Sequence, residues 1–373
     1  MRKLLFNLHL YIALIVGLFV VTLSVTGAIA AFGPELDALF NPKLFHVEPQ
    51  NTPPLLFHTL AGIVSQKFGE PVNTLRMPNG PDQSYSATVA RGQTQVFLNG
   101  YTGEILGTRS PKTFVAKTVQ IHKRLAPATG KGWPEIGNKI VAIACWAMLF
   151  LLLSGLYLWW PHPRFSVKWK ASLRRVMFDV HNATGIYAFV FLLVLTMTGL
   201  VVSYDEEITQ YLYKVTDTKP IARSMPSTPL AGATPITPEQ AVEIAKKELA
   251  GASPITVTLP NGPKGSYNIT MHFPEDHTGR GTGLGRSWVS VDQYSGKVLV
   301  AQNSRTAPGP TRTRMINRAI HTGDIFGVPS RLIAALSSLL VLVQAVSGVI
   351  MWLKREKAKK KTTSTNATAL ASS

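Results

Sequence analysis

The chain has 373 residues, of which 46% are apolar and only 16% are charged, whereas about 25% of an ordinary globular protein is charged. A single cysteine, Cys145, excludes a disulfide scaffold, a cysteine-based zinc or iron–sulfur site and covalent attachment of haem through paired cysteines. The net charge of +18 lies mainly beside apolar stretches, which favours a membrane over nucleic acid as the partner.

Four uncharged stretches are long enough to cross a bilayer, because about 20 helical residues span its hydrocarbon core of roughly 30 Å. We predict membrane-spanning helices at residues 10–32, 140–160, 183–203 and 332–353. The remaining segments are a short N-terminus at 1–9, long outer segments at 33–139 and 204–331, a loop at 161–182 and a tail at 354–373. This pattern predicts an α-helical membrane protein with four transmembrane helices.

Basic residues set the expected orientation, because lysine and arginine are enriched on the cytoplasmic side of a membrane. They flank the spans at Arg2 and Lys3, within the loop at 161–182, and at the start of the tail. Both termini are therefore expected in the cytoplasm, and the long segments in the periplasm of a bacterial inner membrane. The tail is expected to be disordered and to act as a topology signal, with a lipid-specific or regulatory role as the alternative.

The first span could instead be a cleaved signal peptide, because Ala28-Ile29-Ala30 resembles a cleavage site. Its apolar run, however, is longer than the usual 7–15 residues of a signal peptide. The internal repeat of the chain also needs this segment, so we predict that Met1 to Ala30 are retained.

The two halves of the chain are related as a tandem duplication. The matching segments are His9 with His181, Thr26-Gly27 with Thr198-Gly199, Pro78–Pro81 with Pro260–Pro263, and Ser154-Gly155 with Ser347-Gly348. Each half therefore consists of a span, an outer module and a second span. Because both halves run in the same direction, we expect a pseudo-twofold axis along the membrane normal.

Each outer module is predicted to be a small α+β unit. Thr52-Pro53 and Thr237-Pro238 have the chemistry of a helix start, and alternating strands such as 84–89 and 287–291 follow. We expect one helix against an antiparallel sheet in each module.

Four histidines at span boundaries carry the strongest chemical signal. The first pair, His9 and His181, begins spans one and three, and the second pair, His122 and His321, precedes spans two and four. An imidazole near hydrocarbon is costly unless it is bound, and two facing imidazoles can ligate one b-type haem. Two haems per chain are therefore expected, with these four histidines as metal ligands.

Other residues could complete these sites. Ala13 and Gly185 lie one turn beyond the first pair and leave room for a flat macrocycle. Arg124 and Arg318 flank the second pair and could bind haem propionates, although anchoring to lipid phosphates is an equal alternative. Lys3, Arg174, Arg175 and Arg314 have the same two interpretations.

Several alternatives remain at the histidines. They could be interfacial residues without a ligand, or they could serve a non-haem metal or a proton relay, which the lack of Asp and Glu in the predicted spans disfavours. His162 is an alternative ligand without a repeat partner, and the histidines of the outer modules are expected on the surface. These are His46, His58, His272 and His277. The four Thr-Gly and Ser-Gly dipeptides are expected to serve mainly in helix packing.

The motifs LHLYIAL, VHNATG, IHTGDIFG and SGLYLWW, together with D/N-x-x-[TS]-G turns, resemble the PepSY-associated transmembrane family up to about Arg355. One departure is a connection from His122 to Gly155 that is six residues longer than that from His321 to Gly348. The resemblance implies haem on the span histidines and a role in bacterial iron acquisition.

We therefore expect a reductase that delivers electrons to a ferric siderophore in a cleft between the modules. No nucleotide-binding motif is present, so the electrons would come from a quinol or a cytoplasmic reductase. The alternative is a membrane-anchored PepSY protein that binds or regulates, by modulating a peptidase or assisting siderophore uptake. A transporter subunit is the third possibility, and no nucleic acid partner is expected.

Overall fold

The computed structural model describes residues 1–89, 94–109, 113–125, 133–230, 232–276 and 287–371. The chain divides into two compact units, each assembled from separate stretches of sequence. The membrane unit comprises Met1–Phe32, Thr118–Tyr204 and Ile320–Ser373, and the sheet unit comprises Gly33–Lys117 and Asp205–Ala319. This division follows the alternation of apolar spans and outer segments in the sequence.

Helices make up most of the membrane unit and also occur in the sheet unit. In chain order they are α1 (Arg2–Ala31), α2 (Gly33–Phe40), α3 (Pro42–Phe45), α4 (Phe57–Phe68), α5 (Phe114–Arg124), α6 (Trp133–Trp159), α7 (Leu173–Ser203), α8 (Asp205–Val215), α9 (Pro238–Glu248), α10 (Gly309–Thr322) and α11 (Val328–Ala371). In the part of the chain that the structure describes, four helices are long and apolar enough to cross a membrane: α1, α6, α7 and α11. The prediction of four spans is confirmed.

Three of the helices extend beyond the predicted spans. α7 begins at Leu173, so the second half of the predicted loop at 161–182 is helical and His181 lies within a helix. α6 likewise begins at Trp133, before the predicted start at 140. The tail predicted to be disordered is helical as far as Ala371. Lys, Ala and Glu are strong helix formers, and they extend the fourth span without the cost of nucleating a new helix.

The four long helices form a bundle in which equivalent helices lie opposite each other. α1 packs against α6 and α11, and α7 packs against the same two helices. The centre is filled by a buried cluster that includes Val20, Ala188, Leu192 and Val341. Many large apolar side chains on the outside are exposed, as is typical of helices that face lipid.

The strands of the sheet unit form one eight-stranded antiparallel sheet. The strands are β1 (Thr74–Arg76), β2 (Tyr85–Val89), β3 (Thr94–Leu98), β4 (Ile105–Arg109), β5 (Ser253–Thr258), β6 (Ser266–His272), β7 (Ser287–Asp292) and β8 (Val298–Gln302). Their order is β4-β3-β2-β1-β5-β6-β7-β8. The predicted strands are present, but the two modules share a single sheet, which was not predicted.

The modules join where β1 pairs with β5 in antiparallel orientation. Leu75 lies opposite Val257, and the repeat of Pro78 at Pro260 makes these two residues equivalent. Arg76 lies opposite Thr256, which is the repeat equivalent of Thr74. Thr74 lies opposite Thr258, which is the repeat equivalent of Arg76. A local twofold axis therefore passes through the Leu75–Val257 pair. Because paired strands occupy this junction, the cleft between modules that we expected as the substrate site is not formed there.

One face of the sheet is apolar and is covered by α4 and α9. Thr237 caps α9 as predicted, with a capping box completed by Gln240. The predicted helix start at Thr52 is wrong, because α4 begins only at Phe57. Two consecutive prolines, Pro53 and Pro54, keep the preceding segment extended.

The D/N-x-x-[TS]-G turns are fixed by a side chain in each module. The Asn99 side chain accepts hydrogen bonds from the backbone N–H of Tyr101 and Thr102. At the equivalent turn, burial would raise the pKa of Asp292, but N–H donors from Ser295 and Thr228 outweigh it and lower that pKa to about 2. The charged form of Asp292 therefore stabilises the folded sheet unit.

Candidate functional site

The four predicted histidines each form a hydrogen bond with a neighbouring helix through Nδ1. In every case the partner is the hydroxyl of one of the repeated Thr-Gly or Ser-Gly dipeptides. The distances are 2.8 Å for His9 and Ser154, 3.1 Å for His181 and Ser347, 3.4 Å for His122 and Thr26, and 3.2 Å for His321 and Thr198. The internal repeat is thus reproduced in the contacts of the side chains.

The hydroxyl groups determine which nitrogen of each imidazole carries the proton. Each one donates its own proton to the carbonyl four residues earlier, as Ser154 does to Phe150 at 2.6 Å and Thr198 does to Val194 at 2.7 Å. A hydroxyl with its proton committed in this way accepts from Nδ1–H of the histidine. Thr26 and Ser347 donate in the same manner.

Two backbone carbonyls also place the imidazole proton on Nδ1, because a carbonyl oxygen can only accept a hydrogen bond. Nδ1 of His122 lies 2.9 Å from the carbonyl of Leu23, and Nδ1 of His181 lies 3.1 Å from that of Gln344. The proton is therefore on Nδ1, which leaves Nε2 with its lone pair. Metal-ligating histidines are oriented in this way, with the second nitrogen donating to a protein oxygen.

Each ring also lies against the glycine that follows the hydroxyl residue. The distances from a Cβ placed on the glycine to Cε1 of the histidine are 2.8 Å for Gly27 and His122, 3.1 Å for Gly199 and His321, 3.4 Å for Gly155 and His9, and 3.8 Å for Gly348 and His181. The absence of a side chain at these glycines allows the rings to approach the helices. The dipeptides expected to serve in helix packing therefore also hold the four histidines.

The first pair lines one cavity inside the membrane unit. His9 and His181 both contribute to its wall, as do Ala13 and Gly185, and its empty volume is about 910 Å³, part of which is open. The structure thus brings together the four residues that the sequence predicted around the first site.

The second pair is close enough to share one metal ion. The ring centroids of His122 and His321 are 6.2 Å apart, and the rings are inclined by 34°. An ion bound on opposite sides by two imidazole nitrogens at about 2 Å each would separate the centroids by about 6 Å. Burial also lowers the pKa of His122, so the imidazole is neutral and able to bind a metal at pH 7.

These observations fit a b-type haem at each pair, because such a group takes two axial imidazole nitrogens and needs no cysteine. Among the residues described, no group of three or more His, Cys, Asp and Glu side chains is placed to hold a metal ion. A site with two protein ligands therefore agrees better with the donors present than a zinc-type site with three or four.

The basic residues predicted to flank the second pair have varied surroundings. Arg124 is partly buried at the end of α5, and its carbonyl lies so close to Gly137 that a Cβ there would clash. In the sheet unit, Arg314 forms an ion pair with Asp205. Burial lowers the pKa of the Arg318 guanidinium, although the nearby Asp205 opposes this change. A role of these residues in binding propionates remains a prediction.

The remaining histidines lie apart from the two pairs. His162 is exposed in the loop between α6 and α7. His58 contacts the carboxylate of Glu239 at 3.3 Å, and Nε2 of His272 lies 3.1 Å from the carbonyl of Asp276. His277 and residues 126–132 of the longer connection after His122 lie outside the described residues.

Sequence reasoning missed two polar residues of the membrane unit. Gln344 lines the cavity, and its side-chain amide donates to the carbonyl of His181 at 3.0 Å. Arg331 is 1% exposed, and its Nη1 donates a hydrogen bond of 3.3 Å to the carbonyl of Ala31. Neither has a marked pattern in the sequence, but Gln344 is a polar side chain inside an apolar span, which is a usual signal of function.

The fold and the paired histidines define a multi-pass α-helical membrane protein with a duplicated α+β module. The chain belongs to the family of the PepSY-associated TM region, whose model matches residues 6–355. A search of curated proteins found no match. The family inferred from the motifs is therefore confirmed over nearly the whole chain.

Proposed function

We propose that the protein is a haem-containing reductase of the bacterial inner membrane that delivers electrons to a ferric siderophore in the periplasm. Its termini lie in the cytoplasm, and a quinol or a cytoplasmic reductase supplies the electrons. One electron converts Fe(III) to Fe(II), for which the hard oxygen donors of a siderophore have lower affinity. Iron is thereby released for uptake.

The observation that carries this proposal is that all four histidines form the same kind of hydrogen bond through Nδ1. All four Nδ1 atoms contact oxygen atoms of a neighbouring helix, so all four Nε2 atoms are left with a lone pair. This is the tautomer in which Nε2 is able to ligate a metal. Its occurrence at four positions related by an internal repeat supports two equivalent metal sites.

The residues of the chain have distinct roles in this proposal. Haem b, when bound, supplies one-electron transfer. His9 and His181 hold one group and His122 and His321 the other, while the Ser and Thr hydroxyls fix the rings. The apolar wall of the first cavity keeps water away, which favours a stable bis-histidine site.

The experiment is a measurement of haem content and reductase activity on the purified full-length protein. We expect two haems per chain in the wild type and about one in His321→Ala or His9→Ala, because the two sites share no ligand. Reduction of a ferric siderophore, followed with an Fe(II)-specific dye, should fail in both variants. An added external reductant should still reduce the remaining haem in each.

His162→Ala is the matched control, because His162 is a histidine of the membrane unit that is exposed and does not line the first cavity. It should retain both haems and full activity. Normal haem content in His9→Ala and His321→Ala would refute the ligand assignment. A colourless wild-type protein that still binds a periplasmic partner would favour the regulatory alternative instead.

A further inference from the structure

The face of the eight-stranded sheet opposite α4 and α9 is polar, and we call it the polar face. Two rows of residues cross it, as given by the strand register. One row is Phe97, Ser86, Arg76, Thr256, Thr270 and Trp288, and the other is Gln95, Thr88, Thr74, Thr258, Asn268 and Ser290. Hydroxyl and amide groups thus dominate the centre, and neither row contains an acidic residue.

Arg76 is the cation near the centre of these rows; on β4 the second row continues to Arg109, whose charge is paired with Asp37. The side chain of Arg76 is partly buried, and in the described ranges it forms no hydrogen bond, ion pair or ring contact. Burial lowers the pKa of its guanidinium, which shows that the charge is poorly solvated. A partly desolvated guanidinium without a counter-ion would be stabilised by an anion bound beside it.

A second polar atom near Arg76 also lacks a partner. The side-chain oxygen of Asn268 is buried and forms no hydrogen bond with any residue that the structure describes. It lies on the same face, two strands from β1. Asn268 is thus closed off from a ligand, whereas the partly exposed hydroxyl groups of Thr74, Thr256 and Thr258 can donate to and accept from an oxygen-rich ligand.

Segments of the sheet unit border the polar face on both sides. Phe45, at the end of α3, packs on Phe97 with ring centroids 4.8 Å apart. On the other side, the guanidinium of Arg223 lies 5.8 Å from the ring of Trp288. The ends of the rows are therefore covered, whereas Thr74, Arg76, Thr256 and Thr258 in the middle remain partly exposed.

The local twofold axis makes the polar face nearly symmetric, and Arg76 breaks this symmetry. The position equivalent to Arg76 is Thr258, and Thr74 is equivalent to Thr256. At the centre of this face a ligand would thus meet matching hydroxyl groups on both sides of the axis, with a guanidinium at position 76 and a hydroxyl at the equivalent position 258. Such an arrangement orients an anionic ligand in one direction.

We propose that the polar face binds the substrate of the proposed reductase, and that this substrate is a negatively charged, oxygen-rich ferric chelate held by Arg76. The inference rests on the proposed function and specifies its substrate class. Charge complementarity is its basis, since the Arg76 guanidinium among the partly exposed hydroxyl groups of Thr74, Thr256 and Thr258 favours an anion over a neutral or cationic chelate.

The test is calorimetric titration of the full-length protein with gallium(III) complexes, which resemble the ferric complexes but are not readily reduced. The two probes are the tris-catecholate complex, which is anionic, and a trihydroxamate complex without net charge. We expect the wild type to prefer the anionic probe, and Arg76→Gln to weaken its binding by about ten-fold or more. Binding of the neutral probe should change little.

Two further variants test whether a loss of binding is caused by a general loss of positive charge or by misfolding. Arg305→Gln removes a cation that lies off the polar face and is paired with Glu275, and it should bind as the wild type does. The double variant Arg76→Thr with Thr258→Arg moves the cation to the equivalent position and should regain most of the affinity. Equal binding by the wild type and Arg76→Gln, or an equal loss in Arg305→Gln, would overturn the proposal.

The same titration separates the two proposals, because it needs no electron transfer. Arg76-dependent binding in a protein that holds no haem would leave the binding site valid and refute the reductase. Haem-dependent reduction of a ferric chelate that is unaffected by Arg76→Gln would leave the reductase valid and refute this site.

Discussion

The glycines beside the four histidines allow a graded prediction. Carbon atoms in contact lie about 3.5–4.0 Å apart, so the Cβ of Gly27→Ala, at 2.8 Å from Cε1 of His122, would displace the ring by about 1 Å. That shift would break the 2.9 Å hydrogen bond from Nδ1 to Leu23. Gly348→Ala, at 3.8 Å from His181, would make only an ordinary contact.

Gly27→Ala should reduce haem binding more than it reduces the stability of the fold. Overpacking costs about 1–3 kcal/mol, but replacing a helical glycine with alanine returns about 1 kcal/mol. A metal ligand, by contrast, tolerates displacements of only about 0.2 Å. We therefore expect Gly27→Ala to bind about one haem per chain while remaining folded, at a net cost of about 0–2 kcal/mol, and Gly348→Ala to bind two.

The assay is the ratio of haem to protein, together with the spectrum of each purified variant. Haem loss should follow the order Gly27→Ala, Gly199→Ala, Gly155→Ala, Gly348→Ala, which is the order of increasing Cβ distance. A normal ratio in Gly27→Ala, or a greater loss in Gly348→Ala, would refute the reasoning that these glycines position the rings.

Two more predictions concern the sheet unit and the topology. Asp292→Asn keeps an acceptor for Ser295 but loses the acceptor for the N–H of Thr228, so it should lower the free energy of unfolding by about 1.5–3 kcal/mol at pH 7. Because the pKa of Asp292 is depressed to about 2, its contribution to the free energy of unfolding is complete above about pH 4 and is lost as the pH falls towards 2. Chemical unfolding measured across this range should therefore show a shallower pH dependence in the variant than in the wild type. A reporter fused after Lys361 should be active only in the cytoplasm, since three basic segments flank the spans on that side. Activity of the same fusion in the periplasm would contradict the proposed orientation.

The parts of the structure that depend on local pattern were predictable from sequence. The four apolar runs identified the spans, and Thr237-Pro238 with Gln240 identified the start of α9. The repeat of His9 at His181 identified the residues that line one cavity. In each case a composition or spacing has a direct physical meaning over a few helical turns.

The parts that depend on contacts between distant segments were not predictable. β1 has only three residues, and nothing in Thr74–Arg76 indicates that it pairs with β5 more than 170 residues away. The hydroxyl contacts of the histidines were also missed, because Ser and Thr followed by Gly is a common pattern in packed membrane helices. The signal was present in the repetition, since four dipeptides accompany four histidines.

The register at the junction of the modules also bears on how this protein arose. Strands related by a twofold axis pair in an antiparallel manner, and here Leu75 meets its own counterpart, Val257. Two separate copies of a half-length chain would form the same junction as a symmetric dimer, with β1 of each copy pairing across the axis. Joining the copies in one gene would then have allowed the halves to diverge, as at arginine 76 and threonine 258. The two sides of the junction therefore differ in the fused protein, whereas the two identical chains of a homodimer would have the same residue at both equivalent positions.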